Sequence, residues 1–215
     1  MGHTCGRQAD PGHPDGDAMT LWSMQPRERV EELRRDGFLR TDPRHAYADF
    51  LPAYRWMADQ MARRIGPPPG GVEIPLWAWF AYRGTRRPKP DLRSRGFFQP
   101  GTEAVRIEIE VAPGGVLLSW FDDWHCVLNL HYHSLSANEF DEIEAEMVAD
   151  GVENIIHFED YPENWRQRIV ASWNRIFDLD TMPDFNKSES GRPVQACLWE
   201  IRADDVRSVK EFVAR

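Results

Sequence analysis

The residue types best suited to chemistry lie close together in Phe121-Asp-Asp-Trp-His-Cys-Val-Leu-Asn-Leu-His-Tyr132. On a helix, Asp122, His125, Asn129 and Tyr132 fall on one face, and Phe121, Trp124 and Leu128 on the face beside it, where they would anchor the helix. A carboxylate one turn ahead of an imidazole fixes its tautomer and raises its basicity. Such a row suits a hydrolase or lyase working by acid–base chemistry, or it holds a polar ligand. The alternative is a polar network that pins the helix to a sheet. His131 and His133 form an H-x-H pair, and with His125 they put three histidines in nine residues. On a strand the pair would point to one side, as metal ligands do. No carboxylate or cysteine arrives at matching spacing, so no metal is assigned.

A second cluster is basic. Residues Arg83 to Arg95 carry Arg83, Arg86, Arg87, Lys89, Arg93 and Arg95 against Asp91, a net +5 inside a chain of −9. Clustered guanidinium forks beside aromatic rings suit a phosphate and a base. The alternative is a solvated loop that balances neighbouring acids. Polar residues within apolar strands form a third set. They are Gln25 at the end of Leu21–Gln25, with Gln195 and Glu200 in Val194-Gln-Ala-Cys-Leu-Trp-Glu-Ile201. Glu200 is either an edge residue facing water or a functional carboxylate.

These residues need a scaffold. The 215 residues fit one domain, and 41% hydrophobic content supports a core. Nine tryptophans point to large aromatic packing units and to an aromatic-lined pocket. Net charge −9 argues against sequence-wide binding of duplex nucleic acid. No apolar run reaches the roughly 18 residues of a membrane span. Three scattered cysteines, Cys5, Cys126 and Cys197, suit a reducing cytoplasm. The familiar phosphate-loop, dinucleotide-fingerprint, nucleophile-elbow and zinc-protease motifs are absent.

The pattern predicts a disordered tail over residues 1–18, with Met19 as the natural start, and a globular domain over 19–215. Leu21–Gln25 reads as a strand, followed by a helix opened by Pro26 and ended by Gly37. Helical spacing runs from about Ala46 to Ile65, with a kink or restart at Pro52. Ile74–Tyr82 is a strand buried on both faces. Ala104–Val111 alternates and turns through Pro113-Gly-Gly115 into Val116–Leu118, which reads as a β-hairpin. Helices follow over 121–130, after a capping box of Ser136 and Glu139, and after Pro162, where Trp165, Ile169, Trp173 and Ile176 form a stripe. Residues 181–193 read as a polar loop, Val194–Ile201 as a strand and Asp204–Val213 as a closing helix. The fold class is α+β: a mixed, mainly antiparallel sheet packed by helices.

The segments LWSMQ at the first strand, KPDLR at Lys89–Arg93, LLSWFDDWHCVLN at Leu117–Asn129 and QACLWEI at Gln195–Ile201 resemble a bacterial family, domain of unknown function 3841. The resemblance runs from about Thr20 to the C-terminus and implies a compact domain with Gln25, Asp91, Arg93, His125 and Asn129 near one another. It implies no reaction. The strand–helix–glycine opening is also loosely similar to ADP-ribosyltransferase-like folds. That likeness implies NAD as ligand, a tryptophan as wall for nicotinamide, Arg93 as phosphate clamp and Glu200 as the carboxylate that stabilises an oxocarbenium ion. The first strand lacks the Arg or His that would hold the ribose. The other readings are a non-catalytic nucleotide- or protein-binding module using the basic loop, and acid–base catalysis by Asp122 and His125.

Overall fold

The computed structural model describes residues 18–180 and 191–215. The expectations for a tail over 1–18 and for a loop over 181–193 fall mostly outside these residues. Strand β1 (Met19–Pro26) leads into helix α1 (Glu28–Asp36). Gly37 ends that helix at φ 77°, donating its N–H to the Leu33 carbonyl. A side chain there would pay for the left-handed backbone, which glycine adopts freely. Pro26, expected at the first helical position, instead closes the strand.

The chain continues through β2 (Phe38–Leu39) to α2 (Leu51–Arg64) and β3 (Leu76–Ala81). Pro52 sits in the first turn of α2, so the helix starts there rather than kinking. Next come β4 (Glu103–Val111), β5 (Leu117–Trp120) and α3 (Phe121–Leu128). Helix α4 (Ala137–Ala149) opens with Ser136 accepting from the Glu139 N–H, as the capping box predicts. Helix α5 (Glu163–Ser172), β6 (Val194–Leu198), β7 (Ile201–Arg202) and β8 (Val206–Val213) complete the order.

Six strands form one sheet in the order β5-β6-β3-β1-β4-β8, and β2 pairs with β7 beside it. Every pair of named strands is antiparallel. One face packs Leu21, Leu76, Ile107, Ile109 and Leu198 against Val30 and Leu33 of α1. On the other, Leu117 and Cys197 meet Met57 and Met61 of α2, Trp124 of α3 and Ile169 of α5. Strand β6 is buried along its whole length because both faces are covered.

Two expectations are corrected. Residues 206–213 are not a helix but an edge strand along β4. Val206, Val209 and Phe212 recur every third residue, which mimics a helical stripe, yet much of the strand faces solvent and carries no period of its own. The hairpin of β4 with β5 does not form either. Residues Pro113–Gly115 make a helical turn that carries the chain to the far edge, where β5 pairs with β6.

Candidate functional site

The sheet parts in its middle. Strands β1 and β3 share a single registered pair, Trp22 opposite Trp79. Beyond it the ladder ends, and the Ser23 hydroxyl donates to the Trp77 carbonyl at 3.0 Å. Gln25 Nε2 donates in turn to Ser23 Oγ at 2.8 Å. On the other side of β3 the register with β6 shifts between Trp79 and Ala81, a bulge that turns the strand locally.

This parting opens two hollows of about 310 and 340 Å³ that share Met24, Tyr54 and Trp77. The first is aromatic: Tyr54, Trp77, Trp79, Phe121 and Trp124, with Gln195 among them. Tyr54 and Trp77 have centroids 4.9 Å apart, and Trp79 and Phe121 4.7 Å. Gln195 is buried and donates to Ser119 Oγ at 3.0 Å. The second hollow adds Gln25, Arg29, Thr41 and Asp42. Burial and the nearby Tyr47 push the Tyr54 phenol up.

The tryptophans divide by role. Trp22, Trp120, Trp165, Trp173 and Trp199 each donate their ring N–H to a carboxylate or carbonyl. Trp77 does not: its Nε1 is buried and has no partner among the described residues. A buried donor left unmade costs about 1–3 kcal/mol.

The residues expected to converge do not all do so. Glu200 is held at the far end of β6, where its Oε2 accepts from Arg40 Nε and Nη2 at 2.9 and 2.8 Å and its Oε1 from Arg202 at 3.2 Å. It lines neither hollow. Arg93 is exposed and folded onto Asp91, which accepts from its guanidinium and its backbone N–H. These bonds hold the Asp91 carboxyl well below the usual carboxylate range. Lys89 pairs with Glu108, whose carboxyl is lowered first by that bond and then by the Trp22 N–H. Arg83, Arg86, Arg87 and Arg95 are exposed.

The row on α3 is broken after Asn129. Leu130 takes φ 57°, a left-handed conformation that costs a branched side chain energy. The N–H groups of Leu130 and His131 bond back to the carbonyls of Val127 and Cys126 at 3.0 and 2.8 Å. Tyr132 is thereby swung to Glu139, donating to it at 2.9 Å. His125 is exposed; its ring stands edge-on to Phe121 at 4.8 Å and its Nδ1 faces the Phe121 and Asp122 carbonyls. No Asp122–His125 side-chain pair forms.

A different constellation was missed. Asp123, His133 and Arg192 are each about 2–3% exposed. Asp123 pairs with Arg192 through one oxygen and lies 3.4 Å from His133 Nε2 through the other. Arg192 stacks over the Trp120 ring at 4.3 Å. Burial pulls the His133 imidazole down, but the Asp123 carboxylate 3.4 Å from its Nε2, with Cys126 beside it, outweighs this and pushes the group up to about 9. The signal in sequence was an aspartate flanked by Trp120 and Trp124; its partner lies 69 residues on. Within the H-x-H pair, His131 is exposed and His133 buried.

The sequence profile of the family described as Domain of unknown function (DUF3841) matches residues 20–207. The chain belongs to this family. No curated protein and no solved structure matches it. Three of the four segments that carry the DUF3841 resemblance meet at the aromatic hollow, through Met24, through Phe121 and Trp124, and through Gln195. The fourth, around Asp91 and Arg93, packs along β4, where Arg106 donates to the Pro90 carbonyl. Among the described residues no helix is long and apolar enough to cross a membrane.

Proposed function

We propose that the protein binds a nicotinamide dinucleotide, NAD, in the aromatic cleft where β1 and β3 part, as an ADP-ribosyltransferase-like protein. The observation that carries this reading is the aromatic wall of Tyr54, Trp77, Trp79, Phe121 and Trp124 around one hollow. A flat heteroaromatic ring such as nicotinamide would stack on such a wall. Gln25 and Thr41 in the adjoining hollow offer hydrogen bonds to ribose hydroxyls, and Arg29, which is paired with Glu32 at 2.6 Å, is the cation of its lining that a phosphate would compete for.

Breaking the nicotinamide–ribose bond develops positive charge on the sugar, which a carboxylate stabilises. Glu200 is engaged with Arg40 and Arg202 away from the cleft, and Gln195 is a neutral amide. The reading is therefore one of binding with slow or no cleavage.

Tryptophan-fluorescence titration with NAD, nicotinamide and ATP tests it. NAD should quench the emission saturably and remain intact on chromatography. Trp77→Ala, which removes one ring from the wall, should weaken binding about tenfold. Equal binding of ATP, or no quench by NAD, would end the proposal.

A further inference from the structure

A third hollow lies apart from the parted sheet, among α3, α4, the 129–134 segment and residues 155–161. Its volume is about 490 Å³, within the range of small-molecule sites. The wall is largely apolar, built from Leu130, Ile143, Met147, Phe158 and Ile169. Two large apolar side chains stand in its lining although they are open to solvent, Phe140 at 50% and Ile156 at 88% exposure. Exposed apolar groups grouped around a concavity are a mark of binding surfaces.

The segment that forms one side is held firmly. The Trp173 ring N–H donates to the His131 carbonyl at 2.7 Å. The His133 N–H donates to Ser172 Oγ at 2.9 Å, and Arg175 donates to the His133 carbonyl at 2.7 Å. A wall fixed at three successive points is preorganised, which lowers the ordering cost of binding.

The solvent-facing charges of this lining are one-sided: Asp122 and Glu144 are exposed carboxylates, Asp123 is a buried one, and no Lys or Arg lines the hollow among the described residues. Arg192 neutralises Asp123 but does not line the hollow. His133, buried and held protonated, faces Asp123 as a second cation, so the negative charge open to a ligand is that of Asp122 and Glu144. An anionic ligand would meet uncompensated carboxylates, whereas a cation would be drawn to Asp122 and Glu144. We infer that this hollow is a binding site for a small organic amine: an apolar or aromatic body seated between α4 and Phe158, and an ammonium group toward Asp122 and Glu144.

Cys126, half-buried in the same lining, reports occupancy. The probes are 3-phenylpropylamine, 3-phenylpropanol and 3-phenylpropanoate, which share a body and differ in the head. Binding is measured by calorimetry, and alkylation of Cys126 by iodoacetamide is followed by peptide mass mapping. The amine should bind at least tenfold more tightly than the other two and slow alkylation of Cys126. The double variant Asp122→Asn, Glu144→Gln changes exposed side chains and should keep the parent melt. It should lose the preference for the amine while binding the alcohol as before. Met147→Trp should block all three probes. Preferred binding of the carboxylate, equal binding of all three, or no binding with unprotected Cys126 would each overturn the inference. None of these outcomes bears on NAD, whose cleft is separate.

Discussion

The Ser23 hydroxyl donates to the Trp77 carbonyl at the point where the β1–β3 ladder stops. A side chain thus replaces a backbone donor, and the carbonyl stays satisfied while the strands diverge. Ser23 is fully buried. Ser23→Ala should therefore cost about 1–3 kcal/mol in a urea melt, since it orphans both the carbonyl and the Gln25 amide. An unchanged midpoint would mean that water replaces the hydroxyl.

The Asp123–Arg192 pair predicts a larger loss. Asp123→Ala leaves a buried guanidinium whose Nε and Nη1 already lack partners among the described residues. Removing one partner of a buried pair costs roughly 3–5 kcal/mol. Chemical denaturation measures this directly, and a loss below about 1 kcal/mol would show that the charge escapes to solvent.

His133 makes stability depend on pH. Its folded pKa is raised to about 9 from the ordinary 6.5. A group held protonated by the fold contributes fully below the unfolded value, and the contribution fades as pH rises through the folded value. The melting temperature should therefore fall between about pH 6.5 and 9, with no comparable fall in His133→Gln. A flat profile in the parent would remove the imidazolium from the account.

His125 should matter little. It is exposed and bonds only local backbone. His125→Ala should stay within about 0.5 kcal/mol of the parent and leave NAD binding unchanged. A large effect on either would restore the acid–base row that the turn at Leu130 interrupts.

What could be read from sequence was local. Gly37 as a left-handed stop, Ser136 with Glu139 as a cap, the buried stripe Trp165, Ile169 and Trp173, and a strand at Leu76–Ala81 all depend on near neighbours; that strand, expected to be buried on both faces, is buried at Leu76, Ala78 and Ala81 but only half-buried at Trp77, Trp79 and Phe80. Long-range pairing was not legible. Nothing near Pro113–Gly115 says that β5 pairs with β6 rather than β4, and nothing near Glu200 announces Arg40, 160 residues earlier. The aromatic cleft was half legible: the tryptophan count called for both core and pocket, and six of the nine are buried, while Trp77 and Trp79 line the hollow together with the buried Trp124. That Asp123 rather than Asp122 is the buried carboxylate depends on which side of α3 faces His133 and Arg192, and only the fold decides that.

The parted sheet also bears on how the molecule breathes. Strands β1, β4 and β8 pair along most of their length, as do β3, β6 and β5, but the two triplets are stitched together at Trp22 and Trp79. Cooperative opening follows the boundaries where few backbone bonds cross. Amide protons of the two triplets should then exchange with deuterium as separate blocks, and a ligand spanning the seam would merge them into one.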